Sequence, residues 1–210
     1  MSQAIATTPA TNELGMVLVI SGPSGVGKDT VWKTAAPCLP TFSRAITCTT
    51  RERREGEIEG KTYYYVSKNE FQRMIDEDEL IEWAEVHGNC YGVPQRSVFD
   101  RINAGLDVVC VIDVQGAIRI RRIFPTSTLV FIKPPKGREN EILAERIQTR
   151  SLVEQAELET RLNTANWEMT QTHLYDYEVV NDNLDEAAKE LCDIVANIKE
   201  KRGSQAAENG

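Results

Sequence analysis

The sequence is poor in the residues that carry most metal and hydrolytic chemistry. Among 210 residues there are two histidines, His87 and His173, too few for a His-based hydrolase or an ordinary zinc site. The five cysteines (Cys38, Cys48, Cys90, Cys110, Cys192) are an odd number with no Cys-x-x-Cys spacing. Neither a disulfide framework nor a zinc cluster follows from them, and a reducing compartment is the expectation. Long apolar runs are missing: Met16–Ile20, Val108–Ile112 and Leu129–Ile132 are strand-sized, far below the roughly 18 residues of a membrane span. Cations are also in deficit. Lys and Arg number 24 against 32 Asp and Glu, a net charge of −8, which argues against a nucleic-acid partner. No internal repeat or low-complexity tract is visible.

Residues 1–15 lack the basic and apolar regions of a signal peptide and the arginines of a transit peptide. They read as a disordered leader, and 203–210 as a frayed tail. A cytoplasmic protein is expected, with an organellar one, after loss of a targeting segment, as the alternative.

What the sequence does contain is an alternation. Met16–Ile20, Ala45–Thr49, Val108–Ile112, Thr128–Ile132 and Glu178–Val180 read as buried strands. Helical stretches follow or separate them at Asp29–Ala36, Gln115–Ile123, Glu139–Thr149 and Val153–Met169, with an amphipathic helix over Leu184–Lys201. That order predicts an α/β fold with a central parallel sheet between helical layers. Two segments break the rhythm. Residues 50–97 hold four of the six tyrosines, a capping box at Ser67–Glu70 opening a helix over Lys68–Asp78, and a strand at Leu80–Val86, which reads as an inserted α+β subdomain. Residues 135–168 are helical, rich in Arg and Glu and short of apolar residues, as an exposed lid would be. The core is then divided into 16–49, 98–134 and 169–202.

Between the first strand and its helix lies Gly22-Pro23-Ser24-Gly25-Val26-Gly27-Lys28. Glycines at the first and sixth positions let backbone N–H groups curl around phosphate oxygens, the helix N-terminus adds positive potential, and Lys28 reaches the terminal phosphates. A Ser or Thr ordinarily follows the lysine and ligates magnesium; here Asp29 does, with Thr30 after it. Three roles are open to Asp29: repelling phosphates, ligating magnesium directly or through water, or stabilising the helix N-terminus.

Thr47-Cys48-Thr49-Thr50-Arg51 through Gly60-Lys61-Thr62-Tyr63 concentrates cations, hydroxyls and an aromatic ring. Arg51 and Arg54 are spaced to fork onto one phosphate, although the interleaved glutamates also fit a solvated charge run. Downstream, Glu82-Trp83-Ala84-Glu85-Val86-His87-Gly88-Asn89-Cys90-Tyr91-Gly92 decides between them.

With that motif in place the chain, from about Val17 to Ile198, resembles the guanylate kinases. The resemblance is carried by GPSGVGK, TTRERREGEIEGKTYYYVSKNEF, EWAEVHGNCYG, IDVQGA, the arginine spacing of AERIQTR and TRL, and YDYEVVND. It implies a P-loop enzyme that moves the terminal phosphoryl of ATP, with Mg2+, to GMP or dGMP, working as a monomer or weak homodimer. It implies ATP contacts from Gly22 through Thr30 and at Asn181. For GMP it implies Arg51, Arg54 and Tyr91 on the phosphate, with Glu57 organising the arginines and Tyr63 beside them. Thr47 then faces the guanine, and Glu82 accepts from guanine N1–H and the exocyclic amine. A buried Glu82 left unpaired would reject AMP. Asp113, at the end of a core strand, corresponds to an aspartate near the guanine and the magnesium waters; a helix cap is its plainer reading. Asn181 has the same alternative. Arg146, Arg150 and Arg161 match the lid arginines that stabilise the moving phosphoryl, with Lys28 and Arg51 as the other catalytic cations. Surface ion pairing is the plainer reading for one of the lid arginines, Arg150 first.

Three positions depart from the family pattern: Asp29, Val93 where a Ser or Thr bonds guanine O6, and Val111 where an acidic residue is usual. The resemblance also has a branch of non-catalytic interaction modules, which erode the phosphate loop; here Gly22, Gly27 and Lys28 are intact. A related small kinase with another phosphorylated acceptor is a further reading, against which Glu82 and the Arg51/Arg54 pair stand.

Overall fold

In the computed structural model, which describes residues 14–86, 88–150 and 154–208, strands and helices alternate from the first element. In chain order they are β1 (Val17–Ser21), α1 (Lys28–Ala35), β2 (Phe42–Arg44), β3 (Cys48–Thr49), β4 (Tyr64–Tyr65), α2 (Lys68–Asp76), β5 (Leu80–Val86), β6 (Asn89–Pro94) and α3 (Gln95–Asn103). There follow β7 (Asp107–Val111), α4 (Val114–Ile123), β8 (Thr128–Lys133), α5 (Glu139–Arg150), α6 (Gln155–Met169), β9 (Tyr177–Val180) and α7 (Leu184–Glu208).

Five strands form a parallel sheet in the order β2-β7-β1-β8-β9. β1 lies at its centre and all five of its residues are buried. Its side chains serve both faces. Leu18 and Ile20 join a cluster with Val31, Trp32 and Ala35 of α1 and Leu191 and Val195 of α7, while Val17 and Val19 join Val98, Ile102, Ala117 and Ile120 of α3 and α4. Burying each such side chain contributes about 1.5–3 kcal/mol, which accounts for the unbroken apolar run in this strand. Because the sheet is parallel, the loops after β1 and β7 emerge at its carboxyl edge, where α/β sheets bind ligands.

A second sheet, ordered β4-β3-β6-β5, is built mostly from antiparallel pairs and packs on α2 through Phe71, Met74 and Leu80. The expected strand over Ala45–Thr49 proves to be a crossing between sheets. Phe42–Arg44 pairs with β7, Ala45 adds one more bond to Val109, and Cys48–Thr49 pairs with β6 in the second sheet. β6 and α3 have no counterpart in the sequence reading. Ser67 caps α2 by accepting from the Glu70 backbone N–H at 3.1 Å, but Glu70 turns its carboxylate to Arg73.

Three expectations are corrected. Cys38, in the short turn after α1, forms a disulfide with Cys192 on α7, with Cα atoms 6.4 Å apart across 154 residues. Packing of α1 against α7 creates this pairing, which spacing along the chain does not reveal. The last helix, expected over Leu184–Lys201, runs on to Glu208. The lid helices are less exposed than their composition suggests: Ile142, Leu143 and Ile147 of α5 and Leu158 and Ala165 of α6 are buried. The expected leader lies outside the described residues up to residue 13, and no described helix is long and apolar enough to cross a membrane.

Candidate active site

The loop from Gly22 to Gly27 is shaped by its glycines. Gly22, Gly25 and Gly27 have φ of 142°, 83° and 97°, values that residues with a Cβ rarely adopt. At Gly22 a Cβ would also stand 2.1 Å from the Ile132 carbonyl, and at Gly27 2.6 Å from Asn181 Nδ2. The loop is braced from outside. Asn181, buried, donates from Nδ2 to Val26 O at 2.7 Å, and Arg146 donates to the same carbonyl at 2.9 Å. Lys28 folds back over the loop and donates to Gly22 O at 2.6 Å and Pro23 O at 3.2 Å. Its burial pushes its pKa down, against the carboxylates of Glu168, Asp113, Asp29 and Glu82.

A cleft of about 850 Å³ opens beside the loop, lined by Gly25, Gly27, Lys28, Asp29, Thr30 and Asn181 among others. A second cavity of about 280 Å³ is lined by Glu82, Tyr91, Val93, Val111 and Asp113. Lys28, Arg44, Ala45 and Thr47 line both, so the two spaces meet at a lysine, an arginine and a hydroxyl. Burial pushes the Glu82 carboxyl up to about 7, with Asp113 adding repulsion. Glu82 Oε2 accepts from the Asp113 backbone N–H at 3.2 Å. Gly116 makes room for this carboxylate, since a Cβ there would lie 2.7 Å from Oε2.

The anion-binding cluster of the second sheet is organised by Glu57. One oxygen takes Arg51 Nη2 at 2.7 Å; the other takes the Arg54 backbone N–H and the Tyr65 hydroxyl, each at 2.7 Å. The Arg51 guanidinium beside it, with those two donors, holds the Glu57 carboxyl down at about 2. Arg51 lies 5.6 Å from the centre of the Tyr63 ring, which meets Tyr91 edge-on. Tyr65 was not singled out in the sequence. Its place two residues beyond Tyr63, on the same face of an extended segment, is the signal that could have found it.

Other expected site residues are placed differently. Asp113 caps α4, accepting from Gly116 N at 2.8 Å through Oδ1, as its plainer reading had it. Asn181 is not a cap; Asn183 caps α7, accepting from Asp185 N at 2.9 Å. Arg161 pairs with Glu157 one turn away, a surface ion pair of the kind expected for one of the three lid arginines. The Arg150 side chain and His87 lie outside the described residues. The Arg54 side chain is exposed and lines neither cavity. Of the three tryptophans expected to pack, only Trp32 is buried; Trp83 and Trp167 are exposed. Arg44, unremarked in the sequence, holds Asp29 at 2.8 Å.

No group of three or more His, Cys, Asp or Glu side chains suited to a metal occurs among the described residues. Asp29 and Asp113 nevertheless fit magnesium, which takes one or two carboxylates and completes its octahedron with water and phosphate oxygens. Each commits one carboxylate oxygen, to Arg44 or to Gly116, and leaves the second without a partner among the described residues.

A glycine loop between a central parallel strand and a helix, with its lysine at the junction of two cavities, defines a P-loop phosphotransferase. The family model for guanylate kinase matches residues 15–198. A guanylate kinase of Desulfitobacterium hafniense is 41% identical over 181 residues, 86% of this chain and 89% of that protein. One of Gloeobacter violaceus is 42% identical over 179 residues, 85% of this chain and 86% of that protein. The crystal structure of guanylate kinase from Anaplasma phagocytophilum superposes with a TM-score of 0.61 at 34% identity, covering 88% of this chain and 86% of that one. This chain belongs to the guanylate kinase family.

Proposed function

We propose that the protein transfers the terminal phosphoryl group of ATP to GMP, and also to dGMP, giving ADP and the corresponding diphosphate. The observation that carries this is Glu82: a partly buried carboxylate lining a small cavity that meets the phosphate-loop cleft at Lys28. The adjacent N–H donors at the guanine edge complement such a group, and adenine has none there.

The donor phosphates occupy the loop, where the Gly22–Gly27 amides and Lys28 receive them. The acceptor phosphate lies with Arg51, Tyr63 and Tyr91, and Arg54, exposed and outside both cavities, joins them only by turning inward. An acceptor oxygen attacks the terminal phosphorus as the bond to the bridging oxygen breaks, and the electron pair leaves with the diphosphate. No strong base is required, because the attacking phosphate is already anionic. The demand is for cations that hold two anions together, and Lys28, Arg146 and Arg161 supply them. Lys28 and Arg146 donate to backbone carbonyls and Arg161 pairs with Glu157. Exchanging those oxygens for phosphate draws α5 and α6 over the cleft. Asp29 and Asp113 would hold magnesium, which would supply charge neutralisation at the phosphates.

A coupled assay of ADP formation tests the reading. ATP with GMP should turn over, and AMP, CMP or no acceptor should not. Binding of GMP without turnover would overturn it in favour of a non-catalytic module.

A further inference from the structure

Two cations line both cavities, Lys28 and Arg44, and the chemistry above uses only the first. Arg44 is the last residue of β2, at the carboxyl edge of the parallel sheet from which the phosphate loop also emerges. Its backbone is fixed there: Arg44 is paired with Val109 of β7, and the buried Ala45 donates from its N–H to Val109 O at 2.9 Å. Its side chain is fixed as well, with Nη1 2.8 Å from Oδ1 of Asp29 in the first turn of α1. A guanidinium is a planar fork of N–H donors, and this pair occupies one nitrogen. No other ion pair or hydrogen bond of the Arg44 side chain occurs among the described residues. Lys28 is turned to the donor side, 2.6 Å from Gly22 O and 3.2 Å from Pro23 O. Arg146 lines only the larger cavity, and Arg51 and Arg161 line neither. Arg44 is therefore the cation at the junction that has donors to spare.

We propose that Arg44 is a catalytic residue: held by Asp29 through one nitrogen, it donates from another to a non-bridging oxygen of the phosphoryl group passing from ATP to GMP. This deepens the phosphoryl-transfer reading of the site and rests on it. Arg44 exchanges neither a proton nor an electron pair. The bond from phosphorus to the bridging oxygen of ATP breaks, the bond to the GMP oxygen forms, and the guanidinium stabilises charge on the equatorial oxygens meanwhile. Both partners stand on core elements, Asp29 on α1 and Arg44 on β2, which share one apolar cluster. The cation is thus in place before the cleft fills, and no reorganisation is needed at the moment of transfer. Asp29 aims the fork.

The competing role is that of a counter-ion, in which Arg44 only cancels the charge of Asp29. A double-mutant cycle separates the two. In Arg44→Gln, kcat with ATP and GMP at saturating magnesium should fall about 10²-fold, with KM for GMP within about twofold and melting temperature nearly unchanged. The double variant Asp29→Ala/Arg44→Gln should be just as slow, because removing the carboxylate restores no donor to the phosphoryl. Arg44→Lys, which keeps the charge and loses the fork, should recover about tenfold. Binding gives a readout independent of turnover. A dinucleotide joining adenosine and guanosine through a chain of five phosphates, titrated in the presence of a metal chelator, should bind about tenfold more weakly to Arg44→Gln. ADP and GMP, which lack the transferred phosphoryl, should bind that variant within about twofold of the wild type. Wild-type kcat in Arg44→Gln overturns the inference. So does recovery of the wild-type rate in the double variant, or an equal loss of affinity for the dinucleotide, ADP and GMP. If the wild type itself fails to phosphorylate GMP, the functional reading fails and this inference with it; with an active wild type, the variants judge Arg44 alone.

Discussion

Asp29 Oδ1 and Arg44 Nη1 lie 2.8 Å apart, so the acidic residue following the loop lysine is held by a cation from β2. The pair is nearly half exposed on both sides, and its stabilising contribution is about 0–1 kcal/mol. Its importance is for the charge that phosphates meet: Arg44 neutralises a carboxylate that would otherwise repel them. In Asp29→Ala, which leaves no oxygen at this position, the half-saturating magnesium concentration should rise about fivefold with little change in melting temperature. Magnesium titration of the kinase rate reads this directly, and an unchanged requirement would show that Asp29 serves Arg44 alone.

Replacing Glu82 by Gln swaps one acceptor for a donor facing guanine's own donors. The expected loss in kcat/KM for GMP is about 10²-fold, near 3 kcal/mol. AMP should change little, so discrimination collapses chiefly through the loss of GMP. Parallel assays with both acceptors measure it.

Val93 is buried, 6% exposed, in the wall of the Glu82 cavity. Val93→Thr keeps the volume and adds a hydroxyl. The free protein should lose about 1 kcal/mol of stability because the hydroxyl lacks a partner, while GMP affinity improves several-fold. Denaturation and GMP titration should therefore move in opposite directions; a fall in both would place Val93 away from the base.

Glu57 fixes a pH dependence. Its carboxyl, held down at about 2 by Arg51 first and by the Arg54 amide and Tyr65, is ionised in the fold well below its ordinary 4.5. The stability it contributes is fully present above about 4.5 and is lost as pH falls towards 2. The stability gap between wild type and Glu57→Gln should be flat from pH 5 to 8 and should close between 4.5 and 2, as followed by denaturant unfolding.

The Cys38–Cys192 bond closes a loop of 154 residues, and closures of that length typically stabilise by about 2–4 kcal/mol. Cys192→Ser, or the wild type in reductant, should melt several degrees lower at unchanged KM for GMP. Equal melting temperatures with and without reductant would count against the bond in solution.

The elements legible in the sequence are those whose signal is local. β1 is a continuous apolar run, the glycine spacing fixes the loop, and Ser67 caps α2 at the place its spacing predicts. What escaped notice depends on elements meeting in space. Arg44 is an ordinary charged residue until β2 brings it beside Asp29, and Cys38 is distant from Cys192 until α1 packs on α7. Glu168 reads as one more polar residue on a polar helix, although the end of α6 turns into the core. Asp113 illustrates the reverse case, where one side chain serves a local cap and also lines the cavity.

The bond between Cys38 and Cys192 also changes the covalent topology of the molecule. It makes a ring that encloses the second sheet and both lid helices, leaving the phosphate loop and the last turns of α7 on the arms outside. A protease that cuts once within the ring opens it without releasing a fragment. The nicked protein would run as one species on a non-reducing gel and as two after reduction.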